Sequence, residues 1–206
     1  MIDELKNAII EQNQKKAKEI TENLIKSGID INEIINAITN GLRIVGELFE
    51  KGELFLPEVI RAANAAKTSL NLILPKILEK KSNSNNGTIA IGSLGPHDIG
   101  KTLVSAALIA NGFKVIDMGI NINLNIVEKT LKENDIDILA LSIMLTSDIE
   151  KAKIIIERVR KLFKELKIIV GGAVINENIA KEIKADAYGK DEKEAVEIVK
   201  KLLGGK

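Results

Sequence analysis

The sequence predicts an α/β protein in two parts, a small antiparallel helical bundle followed by a doubly wound parallel sheet. Apolar residues recur at spacings of three and four over the first 80 residues, as in helices that bury one face. A polar run without periodicity follows, and then short β-branched segments alternate with helical ones, which is typical of a parallel sheet covered on both faces. We therefore expect a helical domain at residues 1–80, a linker at 81–87 and an α/β domain at 88–206.

The first half predicts four or five helices with short connections. One apolar face runs from Ile31 to Phe49, and Gly28 should end the helix before it because glycine readily adopts the left-handed conformation. Pro57 suits the first turn of the next helix, where its missing N–H costs nothing. Gly41 and Gly46 carry no side chain, so we expect neighbouring helices to approach closely there.

The second half predicts strands and helices in alternation. The strands are expected at residues 88–92, 113–118, 136–141 and 168–170. The helices are expected at 99–110, 124–133, 147–166, 176–184 and 192–203. Ligands of such sheets bind outside the carboxyl ends of the strands, so functional residues should lie in the loops at 93–98, 119–123, 142–148 and 171–176.

Composition excludes several classes of function. A net charge of +1 and 2% aromatic residues provide neither a field nor a stacking surface for nucleic acid, and the charge is also too small to attract an anionic membrane. The chain has no cysteine, which excludes disulfides, iron–sulfur clusters and thiolate zinc sites, and its one histidine excludes multi-histidine metal sites. No apolar stretch approaches the roughly 20 residues that span a bilayer, and the N-terminus lacks a signal-peptide core. We expect a cytoplasmic protein.

The loop after the first predicted strand fits a phosphate-binding pattern. Residues 95–102 follow the spacing of glycine, four residues and Gly-Lys-Thr, between a strand and a helix. Three features weaken a nucleotide site: Pro96 removes a backbone N–H, Asp98 would repel phosphate, and Asp117 is only a weak candidate for a magnesium ligand. Nucleotide binding stays open as a minor alternative.

The same loop contains His97, the single histidine of the chain. A lone histidine is most often an ordinary surface or packing residue. Its place at the carboxyl end of a strand, with Gly92, Gly95 and Gly100 nearby to leave room for a large group, favours a ligand instead. Neutral imidazole binds transition metals well, and a site with one protein ligand makes most sense when a macrocycle supplies the others.

Two segments of the α/β half carry a resemblance to a known family. His97-Asp98-Ile99-Gly100-Lys101 and the following stretch at 110–119 resemble the cobalamin-binding domain of corrinoid methyl-carrier proteins. These are the corrinoid subunits of methylamine, methanol and aryl-ether methyltransferase systems, and methionine synthase contains the same module. The segment at 45–58 resembles the helical cap of that family, and residues 171–173 and 185–188 match its glycine pair and last strand.

The resemblance implies a flavodoxin-like domain that binds cobalamin with its benzimidazole tail displaced from cobalt, and His97 as the lower axial ligand. Phe49 and Leu56 would lie over the upper face, although ordinary bundle packing would give the same spacing. A side chain at Gly171 or Gly172 should collide with the tail. The cofactor-binding residues that the resemblance implies are Gly95, Pro96, Asp98, Ile99, Gly100, Ser142, Met144, Thr146, Gly171, Gly172, Ala173 and Tyr188.

The sequence departs from the family pattern at three positions. Gly95 stands where the family has an aspartate hydrogen-bonded to the histidine, and Met144 replaces a leucine. Asp148 stands where the family has a hydroxyl residue, and a ligand imidazole normally needs an acceptor that fixes its tautomer. Our hypothesis is that Asp148 supplies the carboxylate missing at Gly95. The alternative is that Asp148 caps the helix that begins there.

The function that the resemblance implies is a methyl carrier. Its cobalt would take a methyl group from one methyltransferase partner and pass it to another, and the protein would need no catalytic residue of its own. The cap would have to swing aside for a partner, with a hinge at residues 82–87. A corrinoid sensor or storage protein without methyl transfer is the main alternative.

Overall fold

The structure is a computed structural model that describes residues 1–80 and 86–204, apart from the side chains of residues 50 and 77–80. The chain divides into two compact units, Met1–Ser82 and Asn83–Lys206. Most of the expected linker and hinge, residues 81–85, lies outside the described residues. Within the described ranges, no helix is both long and apolar enough to cross a membrane.

The first unit is a bundle of four described helices. They are α1 (Ile2–Ile10), α2 (Gln14–Lys26), α3 (Ile31–Glu50) and α4 (Leu56–Lys80). The side chains of Asn13 and Asp30 accept backbone N–H groups at the starts of α2 and α3. Gly28 follows α2 with a φ of +69°, which confirms that it ends this helix. Pro57 lies in the first turn of α4 as expected.

The core of the bundle consists of aliphatic side chains, and two of its helices approach each other closely at a glycine. A Cβ atom at Gly41 would lie 3.1 Å from Ile9, so the glycine lets α3 approach α1 as expected. Gly46 has no such neighbour and faces open space, so the same expectation is wrong there. Thr21 donates to Ser69 at 2.9 Å, a buried bond between α2 and α4. The largest fully buried side chains of the bundle are Leu5, Ile9, Leu24, Ile34, Ile35, Ile38, Leu70 and Ile73.

The second unit contains five parallel strands in the order β2-β1-β3-β4-β5, the order of flavodoxin-like sheets. The strands are β1 (Thr88–Ser93), β2 (Lys114–Asp117), β3 (Ile138–Ser142), β4 (Lys167–Gly171) and β5 (Ala187–Tyr188). The predicted doubly wound parallel sheet is thus confirmed.

Helices cover both faces of this sheet. They are α5 (Ile99–Ala110), α6 (Leu124–Glu133), α7 (Ile149–Leu162), α8 (Glu177–Glu182) and α9 (Glu192–Leu202). Leu139 and Leu141 of β3 face the core built with α6, α7 and α8, whereas Ile138 and Ala140 face the core built with α5 and α9. The central strands β1, β3 and β4 are thus largely buried, whereas the edge strand β2 is exposed or half-buried along its length.

Helix α7 is shorter than the helix expected at 147–166. A 3₁₀ turn at Thr146–Asp148 precedes it, and its last residue is Leu162. Residues 163–166 turn the chain back into β4, and Arg160 of the last turn donates to the carbonyl oxygen of Leu166 at 2.9 Å. The need to reverse direction before β4 therefore ends the helix early.

Candidate functional site

The strand order places one switch point at the carboxyl edge of the sheet. The connection from β1 leads to β2 on one side, and β3 lies on the other side of β1. The loops that follow β1 and β3 therefore leave the sheet as neighbours, the position at which such folds bind ligands. Ser93 pairs with Ser142 in the register, and the N–H of Leu94 donates to the carbonyl oxygen of Ser142 at 3.0 Å.

The loop after β1 has a fixed backbone and a free imidazole. Buried Ser93 donates its hydroxyl to the carbonyl oxygen of His97 at 2.8 Å, and the N–H of Asn121 donates to the carbonyl oxygen of Gly95 at 3.1 Å. The His97 side chain is exposed and makes no hydrogen bond with residues in the described ranges. The fold thus holds the histidine at the switch point and leaves both ring nitrogens available.

Asp148 reaches the same loop from β3. It is only 2% exposed, and its Oδ2 has no hydrogen-bond partner among the described residues. A Cβ atom at Gly95 would lie 2.8 Å from this oxygen. The carboxylate of Asp148 therefore occupies space that a side chain at position 95 would need.

The alternative role of Asp148 as a helix cap is wrong. The residue occupies the N-cap position of α7, but its side chain accepts no backbone N–H there. Instead Oδ1 accepts from Lys151 at 2.7 Å, one turn into the helix. The 3₁₀ turn ahead of α7 directs the carboxylate toward Gly95, away from the free N–H groups of the helix.

The lysine of the phosphate-like pattern is already paired. Lys101 is 4% exposed and donates to Asp117 in a short ion pair, while Asp117 also accepts the N–H of Gly119 at 2.8 Å. A phosphate-binding lysine must reach out of the loop to its ligand. The burial of Lys101 and its pairing with Asp117 therefore count against a nucleotide site.

The space expected at the three glycines near His97 is mostly filled. A Cβ atom at Gly92 would lie 2.5 Å from Ile122, and the space at Gly95 belongs to Asp148. Gly100 alone of the three faces open space, with no heavy atom within 4 Å of its Cβ position. The expectation of room for a large group thus holds at Gly100 and is wrong at Gly92 and Gly95.

The glycine pair after β4 is required by the protein itself. Gly172 has a φ of +121°, and its Cβ position lies 2.1 Å from the carbonyl oxygen of Ile143. The Cβ position at Gly171 lies 2.8 Å from the carbonyl oxygen of Gly189. A collision with a ligand is therefore not needed to explain either glycine, and the expected reason for them is replaced by close backbone packing.

The other predicted binding residues of the α/β unit lie along the same edge. Ser142 ends β3 and is half-buried, as is Met144 two residues later. Thr146 is exposed at the start of the 3₁₀ turn, and Ala173 is exposed after β4. Tyr188 ends β5, pairs with Val170 and packs half-buried against the core. Pro96 is exposed, and Asp98 and Ile99 are half-buried at the start of α5.

Phe49 and Leu56 lie in the helical unit, where their side chains are 45% and 61% exposed. The alternative that they are bundle core is therefore wrong. Phe55 and Ile60, which had no predicted role, are exposed beside them in the chain, at 70% and 52%. Leu56 and Ile60 are four residues apart and share a face of α4. The sequence signal that could have identified Phe55 and Ile60 is the presence of large apolar residues beside the predicted helix start at Pro57.

Two further apolar residues are exposed in loops at the edge of the sheet. Ile120 follows β2 and Leu145 follows β3, at 44% and 40% exposure, and Leu145 lies 3.8 Å from the Cβ position of Gly95. Neither residue belongs to a helix or strand that would explain an apolar side chain.

Within the described ranges, no group of three or more His, Asp or Glu residues could hold a metal ion.

Comparison with known proteins identifies the family. Two family models, both described as a B12 binding domain, match residues 1–74 and 90–199. A trimethylamine corrinoid protein of Methanosarcina barkeri is 34% identical over 98% of this chain and 96% of its own, and a corrinoid protein of Desulfitobacterium hafniense is 32% identical over 99% and 98%. The solved Methanosarcina barkeri monomethylamine corrinoid protein is 28% identical, with a TM-score of 0.83 over 96% of each chain. The chain therefore belongs to the cobalamin-binding corrinoid proteins of methyltransferase systems.

Proposed function

We propose that this methyl carrier binds cobalamin with the benzimidazole tail displaced from cobalt and with His97 as the lower axial ligand. The observation that carries the proposal is the state of His97: it is exposed, free of hydrogen bonds to described residues, and held by its backbone at the switch point. Ligands of this sheet type bind at that point. A free imidazole at this point supports the assignment of His97 to the lower face of the corrinoid.

The donor chemistry of the site fits cobalamin. One imidazole, without a cluster of further ligating side chains in the described ranges, suits a metal whose equatorial ligands all come from a macrocycle. The open space at Gly100 and the exposed side chains of Leu145 and Thr146 provide a surface that a large, partly apolar group can cover. Buried Lys101 is paired with Asp117 and does not contribute to this surface.

The residues proposed for the displaced tail lie at or just after the carboxyl ends of β3, β4 and β5. Ser142 and Met144 are half-buried beside the loop after β1, and Gly172 brings its backbone against Ile143. We assign the tail to this region, together with Thr146, Gly171, Ala173 and Tyr188. Their role is to bind the tail and to hold it away from the metal, so that the axial position is left to His97.

When bound, cobalamin supplies a reduced cobalt that accepts a methyl group and later gives it up. We assign the shielding of that methyl group to exposed Phe49 and Leu56 of the helical unit. Apolar side chains exclude water from a reactive group, and a partner has to displace them to reach it. The relatives are named for trimethylamine and monomethylamine. We infer that the partners here are methyltransferases that load and unload this chain.

The visible spectrum of the cobalamin-loaded protein tests the ligand. Loaded full-length protein should give the spectrum of cobalamin whose benzimidazole is displaced and replaced by histidine, because His97 outcompetes the tail in the bound state. His97→Ala should lose the histidine-bound spectrum, whereas Glu150→Gln, an exposed change on α7, should keep it. A wild-type spectrum with benzimidazole still coordinated would contradict the proposal.

A second assay separates the carrier from a sensor or storage protein. Full-length loaded protein, reduced and mixed with the methyltransferase of the trimethylamine relative and isotopically labelled methylamines, should retain the label after repurification. His97→Ala and protein without cobalamin serve as controls. The sensor or storage alternative would be favoured if the protein binds cobalamin normally but retains no label from any of the amines. It should then also retain no label from methanol supplied with a methanol-specific methyltransferase.

A further inference from the structure

We propose that Asp148 is the positioning residue of His97, and that its free oxygen Oδ2 accepts a hydrogen bond from the imidazole nitrogen turned away from cobalt. The inference rests on the proposed function, in which the other nitrogen binds the metal. An acceptor of this kind fixes the tautomer and the ring orientation of a ligand histidine and raises its basicity.

The burial of Asp148 is the first observation. The side chain is 2% exposed, yet Oδ2 has no hydrogen-bond partner among the described residues. Buried polar atoms nearly always have a partner, and an unpaired carboxylate oxygen away from water is unfavourable. A native protein that keeps such an oxygen at its ligand edge has a use for it, and a donor that turns toward it when the ligand binds is the simplest one.

The location of the oxygen is the second observation. It lies 2.8 Å from the Cβ position of Gly95, two residues before His97. Two residues of extended chain span at most about 7 Å, so the oxygen lies in the neighbourhood of His97, and the proposal requires the exposed imidazole to rotate toward it. The space beside Gly95 thus holds a carboxylate that comes from the 3₁₀ turn after β3.

The pairing with Lys151 is the third observation. Its ammonium donates to Oδ1 at 2.7 Å, which balances the charge of the carboxylate and holds the group in one orientation. Lys151 itself is 61% exposed and is paired with Oδ1, whereas Oδ2 has no hydrogen-bond partner among the described residues. One carboxylate oxygen is thus tethered, and the other is left toward Gly95.

The test compares four full-length proteins loaded with cobalamin and labelled with ¹⁵N at histidine: wild type, Asp148→Ser, Gly95→Asp/Asp148→Ser, and the control Glu150→Gln. Asp148→Ser removes the carboxylate, and the double variant returns it from position 95, where the space has been freed. The measurements are the affinity for cobalamin and the nitrogen splitting in the electron paramagnetic resonance spectrum of the Co(II) form.

Asp148→Ser should bind cobalamin about tenfold or more weakly, since loss of such an acceptor commonly lowers metal affinity by that factor. A smaller fraction of this variant should show splitting from labelled His97. Gly95→Asp/Asp148→Ser should recover most of both, and Glu150→Gln should match the wild type. The proposal is overturned if Asp148→Ser keeps wild-type affinity and splitting, or if the double variant fails to recover them.

The stability of the cofactor-free protein distinguishes positioning from a structural role. Oδ2 is unpaired, and Oδ1 pairs with Lys151, which is 61% exposed, so that ion pair adds little stability. Asp148→Ser should therefore leave the urea midpoint nearly unchanged or raise it. A clearly lowered midpoint would assign Asp148 to the fold and overturn the proposal. If the wild-type spectrum shows no splitting from labelled histidine, the ligand role of His97 itself is overturned. If the wild-type splitting is normal and Asp148→Ser leaves it intact, only the role of Asp148 is overturned.

Discussion

The turn after β4 and the loop after β1 both contain a glycine with no room for a side chain, but the obstacles differ. At Gly172 the obstacle is the carbonyl oxygen of Ile143, 2.1 Å from the Cβ position, and the backbone also has a φ of +121°. At Gly95 it is a carboxylate oxygen of Asp148, 2.8 Å away, without a positive φ. The first glycine is required by the backbone itself, whereas the second makes room for the side chain of Asp148.

The largest effect should come from Gly172→Ala. The new Cβ atom would collide with backbone that cannot move without breaking the N–H to C=O bond from Ile143 to Gly171. With the strained φ added, we expect a loss of more than about 4 kcal/mol in the free energy of unfolding. Urea unfolding followed by circular dichroism measures it. A midpoint equal to that of the wild type would show that the turn is not as tightly packed as described.

A smaller effect should come from Gly95→Ala, and it should depend on Asp148. The obstacle is a side-chain oxygen, so displacing it should cost about 1–2 kcal/mol in the free energy of unfolding. In an Asp148→Ser background the same change should cost almost nothing, because the space is then empty. The four proteins of this double-mutant cycle measure the coupling. Equal costs in both backgrounds would mean that Asp148 does not occupy the space beside Gly95.

The smallest effect on stability should come from Gly100→Ala. Its Cβ position faces open space in the first turn of α5, and alanine favours helix over glycine by about 0.5–1 kcal/mol. The unfolding midpoint should therefore stay the same or rise slightly, while cobalamin binding weakens if the corrinoid covers this position. A titration of the folded variant with cobalamin measures the second effect. Unchanged affinity would remove Gly100 from the proposed binding surface.

Much of the scaffold could be predicted from the sequence. The bounds of α5 and α6 agree with the expected ranges, because apolar periodicity and, for α6, the cap residue Asn123 mark them locally. The end of α7 could not be predicted in the same way. It depends on where the chain has to turn into β4, and the apolar residues Phe163 and Leu166 continue the pattern beyond the helix.

The site was predictable in its place but not in its contacts. Parallel strands bring their carboxyl ends to one edge, so the loops with His97 and Asp148 were expected there. Which atoms fill the space at Gly92 depends on Ile122, thirty residues further along the chain, and no local pattern reports such a contact. The choice between a cap and a free carboxylate at Asp148 likewise depends on the 3₁₀ turn before α7.

The most direct test of the central claim uses the single histidine of the chain. Wild-type protein carrying cobalamin in the Co(II) form is prepared twice, with ¹⁴N and with ¹⁵N histidine, so that the label occupies His97 alone. If this imidazole binds cobalt, each triplet from the axial nitrogen in the ¹⁴N sample becomes a doublet in the ¹⁵N sample. Identical triplets in both samples would show that benzimidazole remains the ligand and would contradict the account.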